Sequence, residues 1–141
     1  MKNLLTIIAV TLLFVACNKN QSAIKKLDGT WAATELVETD LETGLSYDRI
    51  ALGETFKLTF SNCKLKDDEW CNSNSISTLD ELIFTANLLY NVQNKGKQLI
   101  TKVTPTGEIS DTYTIVELTK SRLVLTETDD GYRTDMVFIK E

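Results

Sequence analysis

Thr55-Phe56-Lys57-Leu58-Thr59-Phe60 alternates strictly, with Phe56, Leu58 and Phe60 on one face and Thr55, Lys57 and Thr59 on the other. Successive Cβ atoms leave a pleated strand on opposite sides, so a period of two marks a strand with one buried face. Leu82, Phe84, Ala86, Leu88, Tyr90 and Val92 repeat the pattern, opposed by Thr85, Asn87, Leu89 and Asn91. A helix over Thr78 to Leu89 competes, because Leu79, Leu82, Ile83 and Ala86 also fall at helical spacing. The strand reading is preferred.

Turn signals divide the rest of the chain. Trp31 to Glu38 reads as a first strand, Thr39 to Gly44 as a turn, and Ser46 to Ile50 as a short strand. Asn72 to Thr78 is rich in Ser and Asn and reads as a connection. Asn94-Lys95-Gly96 and Asp129-Asp130-Gly131 are hairpin signals, with glycine supplying positive φ. Pro105-Thr106-Gly107 turns for the same kind of reason. Between these lie strands over Gln98 to Val103, Ile109 to Leu118, Arg122 to Thr126 and Tyr132 to Lys140. About eight strands at near-regular spacing predict an all-β protein, an antiparallel up-and-down barrel or sandwich. Closure into a barrel removes exposed edges.

The N-terminus is of another kind. Lys2 gives a positive start, Leu4 to Ala16 is uncharged, and Phe14-Val15-Ala16-Cys17 leads into polar Asn18-Lys19-Asn20-Gln21-Ser22. That order is a secretory signal. The run spans roughly 20 Å as a helix, short of the ~30 Å hydrocarbon core. Ala16-Cys17 resembles the lipobox of bacterial lipoproteins, although Phe14 stands where that pattern usually has Leu. The resemblance implies cleavage before Cys17 and acylation of its thiol and amine, with about 0.8 kcal/mol per buried CH₂. The expected organisation is a signal over residues 1–16, a lipidated tether over 17–23 and a barrel domain over 24–141, in which Ile24-Lys25-Lys26-Leu27 makes a helical turn plugging one end. Asn18 in place of Asp implies, by resemblance, the outer membrane. The absence of acid in residues 18–22 leans to its periplasmic face, with the cell surface as the alternative.

Composition narrows the chemistry. The chain has 20 Asp and Glu against 15 Lys and Arg, a poor match to nucleic acid, whose phosphates need clustered cations. It contains no His, which removes Ser-His-Asp and Cys-His catalysis and His-based zinc sites. No cofactor is implied. Asp67, Asp68 and Glu69 are adjacent, so their side chains point apart and make a poor convergent acid–base site. Once Cys17 is assigned to lipid, Cys63 and Cys71 remain as an even pair in an oxidising compartment, which predicts a disulfide.

Asp28-Gly29-Thr30-Trp31 brings in a second resemblance. Gly-x-Trp at the start of the first strand is similar to the lipocalin signature. Residues 113–119, 123–125 and 137–140 look like the ending of the small lipocalin-like lipoproteins of diderm bacteria, and Cys63 and Cys71 after Thr59-Phe60 are also similar to members of that group. The resemblance implies an eight-stranded barrel whose closed end is plugged at Gly29 and Trp31. It also implies an Arg stacked on the Trp, with Arg122 and Arg133 as candidates, and one small apolar ligand in the mouth.

Phe56, Leu58, Phe60, Phe84, Leu88, Tyr90, Tyr113, Leu125 and Phe138 would then either line a ligand cavity or fill the core, since only Ala33 and Ala86 are small among the inward positions. Two further readings compete with a ligand-binding module. One is an envelope lipoprotein that engages an unknown protein partner through the Cys63–Cys71 or Thr39–Ser46 loops, with Trp70 as an anchor. The other is an enzyme working with carboxylates, which the dispersal of the acids disfavours.

Overall fold

The period-two segments pair into one antiparallel sheet that closes on itself. The computed structural model describes residues 19–64, 70–104 and 106–141. Cys17 with the whole signal, Pro105, and the acidic triplet Asp67, Asp68 and Glu69 lie outside the described residues. The strands are β1 (Gly29–Asp40), β2 (Ser46–Asp48), β3 (Thr55–Phe60), β4 (Cys71–Leu79), β5 (Leu82–Gln93), β6 (Gln98–Val103), β7 (Ile109–Leu118), β8 (Arg122–Asp129) and β9 (Tyr132–Lys140).

They lie in the order β2-β1-β3-β4-β5-β6-β7-β8-β9, and β1 also pairs with β9. One edge of β1 carries β9 over residues 31–40. The other is shared between β3, over residues 29–32, and β2, over residues 37–39. The ring therefore has eight staves, with β2 as a short extra strand. Sequential antiparallel pairing that ends by meeting the first strand defines an up-and-down barrel of the lipocalin, or calycin, type.

Three register shifts help the ring to bend, as bulges do. On β1 the register against β9 slips between Ala33 and Glu35, so that Leu36 rather than Glu35 joins Trp31 on the inner face. Shifts at Thr101/Lys102 and Ile115/Glu117 mark the pairings of β7 with β6 and β8.

Two expectations are corrected. Asn72 to Thr78 is not a connection but most of β4, paired with β3 and β5 along its length. Asn and Ser are poor strand formers in isolation, and the turn that follows, Asp80-Glu81, takes positive φ (47° and 69°) without any glycine to signal it. β5 is a strand, as preferred over the helical alternative. Residues 19–23, expected as part of a polar tether, belong to a helix that runs to residue 27. Its stripe of Ala23, Ile24 and Leu27 is buried against the barrel floor. That burial outweighs the weak helical signal of a polar stretch, because short helices draw their stability from packing.

The closed pole is built around Trp31, which is fully buried and donates its indole N–H to the Leu27 carbonyl at 2.6 Å. Phe60 and Tyr90 meet edge to face beside it, with ring centroids 5.0 Å apart. The Tyr90 hydroxyl donates to the Ser61 carbonyl at 3.0 Å. The helix is tied on by Gly96 N–H to Asn20 Oδ1 (2.7 Å) and by Gln21 Nε2 to the Cys63 carbonyl (2.8 Å). Neither candidate arginine reaches Trp31. Arg122 is bonded to Glu117, and Arg133 lies at the far end of β9, against Asp135. Lys140, the register partner of Trp31, sets its Nζ 5.2 Å from the ring centroid instead.

Cys63 and Cys71 form a disulfide with Cα atoms 5.6 Å apart, fastening the loop after β3 to the first residue of β4. Trp70, next to it, is half-buried, with Lys102 Nζ 3.9 Å from its ring centroid.

Candidate functional site: a cavity in the barrel

β4 makes the hollow. In its register, Ser73, Ser75 and Ser77 stand opposite Phe60, Leu58 and Phe56 of β3, and opposite Leu88, Ala86 and Phe84 of β5. All three serines thus share the inner face with large apolar neighbours. Where most inner positions of the neighbouring staves carry Leu, Phe or Met, β4 sends in side chains of two heavy atoms. A packed interior normally leaves no such gap.

The result is a cavity of about 230 Å³. Its apolar wall includes Phe56, Leu58, Phe60, Leu88, Leu99, Leu125 and Met136, and its polar points include Ser73, Thr101, Ser110, Asp111 and Tyr113. A second hollow of about 210 Å³ shares Phe56, Tyr113 and Met136 with it and adds Arg49, Glu54 and Glu127. Glu127 also lines a rim depression with Glu38, Asp129 and Asp130. From the interior to the rim, each hollow therefore shares lining residues with the next.

Of the nine residues expected at the lining, the structure brings Phe56, Leu58, Phe60, Leu88, Tyr113 and Leu125 to the cavity. Tyr90 and Phe138 are fully buried but belong to the packed floor and wall, Phe138 against Phe56 at 5.8 Å between centroids. Phe84 is corrected. Its register puts it on the inner face beside Ser77, but it lies near the rim end of β5, 55% exposed, and does not line the cavity. The serines of β4, Leu99, Thr101, Asp111 and Met136 were missed. The signal was present in the Ser-x-Ser-x-Ser spacing of 73–77, but it reads as inner face only once β4 is known to be a strand.

Ser73 is 7% exposed, and its hydroxyl has no hydrogen-bond partner among the described residues. Asp111 is held in place at the lining, receiving Ser110 Oγ at 2.5 Å and Thr101 Oγ1 at 3.3 Å on Oδ2. Burial drives the Tyr113 phenol far above its ordinary pKa, with the charges of Asp111 and Glu127 adding to the effect. Glu127 is pushed up to about 7, first by burial and then by Asp111 and Asp129. Arg49 is engaged twice by Glu54, at 2.6 and 2.8 Å. Among the described residues, no three His, Cys, Asp or Glu side chains gather as a metal would require.

Fold and site together define a closed antiparallel barrel of calycin type with an internal, mainly apolar cavity opening at one pole. No family model and no curated protein matches the chain. Among solved structures it is similar to As-p18, an extracellular fatty acid binding protein, at 12% identity and a TM-score of 0.46, over 82% of this chain and 96% of that one.

Proposed function

We propose that the protein is a non-catalytic binding module that holds one small, largely apolar molecule inside the barrel. The observation that carries this reading is the cavity itself, opened by the inward Ser73 and Ser75 of one stave and walled largely by apolar side chains of the others. Ligand sites are typically concave and apolar with a few placed polar groups. The volume lies below the ~300–1,000 Å³ common for such sites, so the occupant is short, or leaves part of itself in the outer hollow.

We also propose that the chain is a lipoprotein of the outer membrane, facing the periplasm and held by acyl chains on Cys17. The apolar run ending in Ala16-Cys17 supports this. Because a docked helix begins by residue 19 at the closed pole, an anchor at Cys17 would keep that pole at the bilayer and turn the mouth away from it. Detergent phase partition of the native protein, set against Cys17→Ser, tests the anchor; a Cys17→Ser protein that stays in the detergent phase after processing would count against it.

The binding reading is tested by native mass spectrometry of residues 18–141, which carry the whole closed barrel, alongside titration with octanol. A bound molecule or a 1:1 octanol complex that Ser75→Leu abolishes supports it. If neither protein binds anything apolar at millimolar concentration, the reading fails.

A further inference from the structure

The charges that face the hollow are unequal in sign. Asp111 lines the inner cavity, to which no Lys or Arg contributes among the described residues. Arg49 is the one cation lining the outer hollow among the described residues, and Glu54 occupies its guanidinium with two hydrogen bonds. Asp111 receives neutral hydroxyls only in its recorded bonds from Ser110 and Thr101. Among the described residues Glu127 forms no salt bridge, and the charges acting on its carboxyl are those of Asp111 and Asp129. Towards the rim, Asp129 and Asp130 add more negative charge, while Glu38 there lies 4.0 Å from the Arg49 guanidinium.

A ligand carboxylate entering here would meet carboxylates in a partly desolvated site, where like charges repel more strongly than in water. An ammonium group would meet two carboxylates, Asp111, which accepts only uncharged hydroxyls from Ser110 and Thr101, and Glu127. A separate observation gives the cavity region an unsatisfied polar point. Ser73 lines the cavity and is more than nine-tenths buried, and its hydroxyl has no partner among the described residues. Buried polar groups are nearly always satisfied, so a polar group on an occupant of the cavity would have an unused donor and acceptor beside it.

We infer that the barrel takes a short amphiphile with a cationic amine head, its chain between Phe60, Leu88 and Leu125 and its head at Asp111 and Glu127, in preference to a fatty acid. The inference rests on the binding function proposed above and names the ligand class for the same cavity.

Three octyl compounds of equal apolar length separate the possibilities: octylammonium, octanol and octanoate, each titrated calorimetrically into residues 18–141 at one ionic strength. Octylammonium is expected to bind 1:1 and at least ~10-fold more tightly than octanoate, as differential charge complementarity would give. Ser75→Leu, which fills the cavity, is expected to remove that binding, separating it from adsorption to an acidic surface. In Asp111→Asn/Glu127→Gln the preference should shrink to about threefold or less. The wild-type ranking decides the matter even if that double variant does not fold. Octanoate binding as tightly as octylammonium, or more tightly, overturns the inference while leaving the binding function standing. Octylammonium binding that survives Ser75→Leu also overturns it. If none of the three binds, the binding function falls, and the inference with it.

Discussion

Ser73, which lines the cavity, stands directly across the ladder from Phe60, and its buried hydroxyl has no partner among the described residues. A residue pair of this kind, one large and one small, leaves the gap that a Phe–Leu or Phe–Val pair would close. The unpaired hydroxyl makes the gap polar at one point.

Removing that hydroxyl should not destabilise the fold. An unsatisfied buried donor costs about 1–3 kcal/mol, so Ser73→Ala is expected to leave stability unchanged or raise it by up to about 1 kcal/mol. Urea unfolding of the ligand-free protein measures this. A loss above about 1 kcal/mol would mean that Ser73 has a structural partner after all.

The pH dependence of stability should carry the mark of Glu127. Its carboxyl titrates near 4.5 when unfolded and at about 7 when folded. Between those values the folded state holds the proton more tightly, so this group's contribution falls as pH rises through the window. Glu127→Gln is expected to flatten that part of the stability curve and to be the more stable protein above pH 7. Thermal melts of both proteins from pH 4 to 8 check it. Parallel curves would remove Glu127 as the cause.

Gly29 should resist substitution for two separable reasons. Its φ is +115°, and a Cβ there would lie 2.8 Å from Lys140 Cε. The lysine end is flexible and gives way, whereas the backbone cannot. Gly29→Ala is therefore expected to cost more than about 1 kcal/mol, and adding Lys140→Ala should recover only a minor part of it. Full recovery in the double variant would show that contact, not backbone conformation, sets the cost.

The Cys63–Cys71 bridge closes a short loop and should contribute about 2–3 kcal/mol by the loop-entropy relation. Cys63→Ser/Cys71→Ser is expected to lower the urea midpoint accordingly while keeping the β-rich far-ultraviolet spectrum. The intact protein should weigh two mass units less than its reduced form. A double variant as stable as the parent would assign the bridge no role in the folded domain.

Much of the barrel was legible in the order of residues. The strict alternation of residues 55–60 and 82–92, the Asp130-Gly131 hairpin and the Gly29-Thr30-Trp31 start all carry local physics, a two-residue period or a positive φ, that no distant contact needs to supply. The pairing of Cys63 with Cys71 followed from counting. By contrast, β4 was hidden, because serines and asparagines form a strand only when β3 and β5 hold it on both sides. The helix over residues 19–27 was hidden in part for a similar reason, its stability coming from the floor it covers.

What the sequence by itself determined was therefore a chain of alternating strands and turns, without histidine, with one cysteine pair and a Trp at the head of the first strand. Tertiary structure decided which residues share the interior. It decided that Lys140 rather than Arg122 or Arg133 covers Trp31, that Phe84 stands at the rim, and that Ser73, Ser75 and Ser77 stand beside Phe60, Leu58 and Phe56 on the inner face. The physical reason is that a strand's period fixes only which side chains lie on the same face. Depth within the barrel, and the neighbour across it, depend on the register set by β1 meeting β9, a contact between residues a hundred positions apart in the chain.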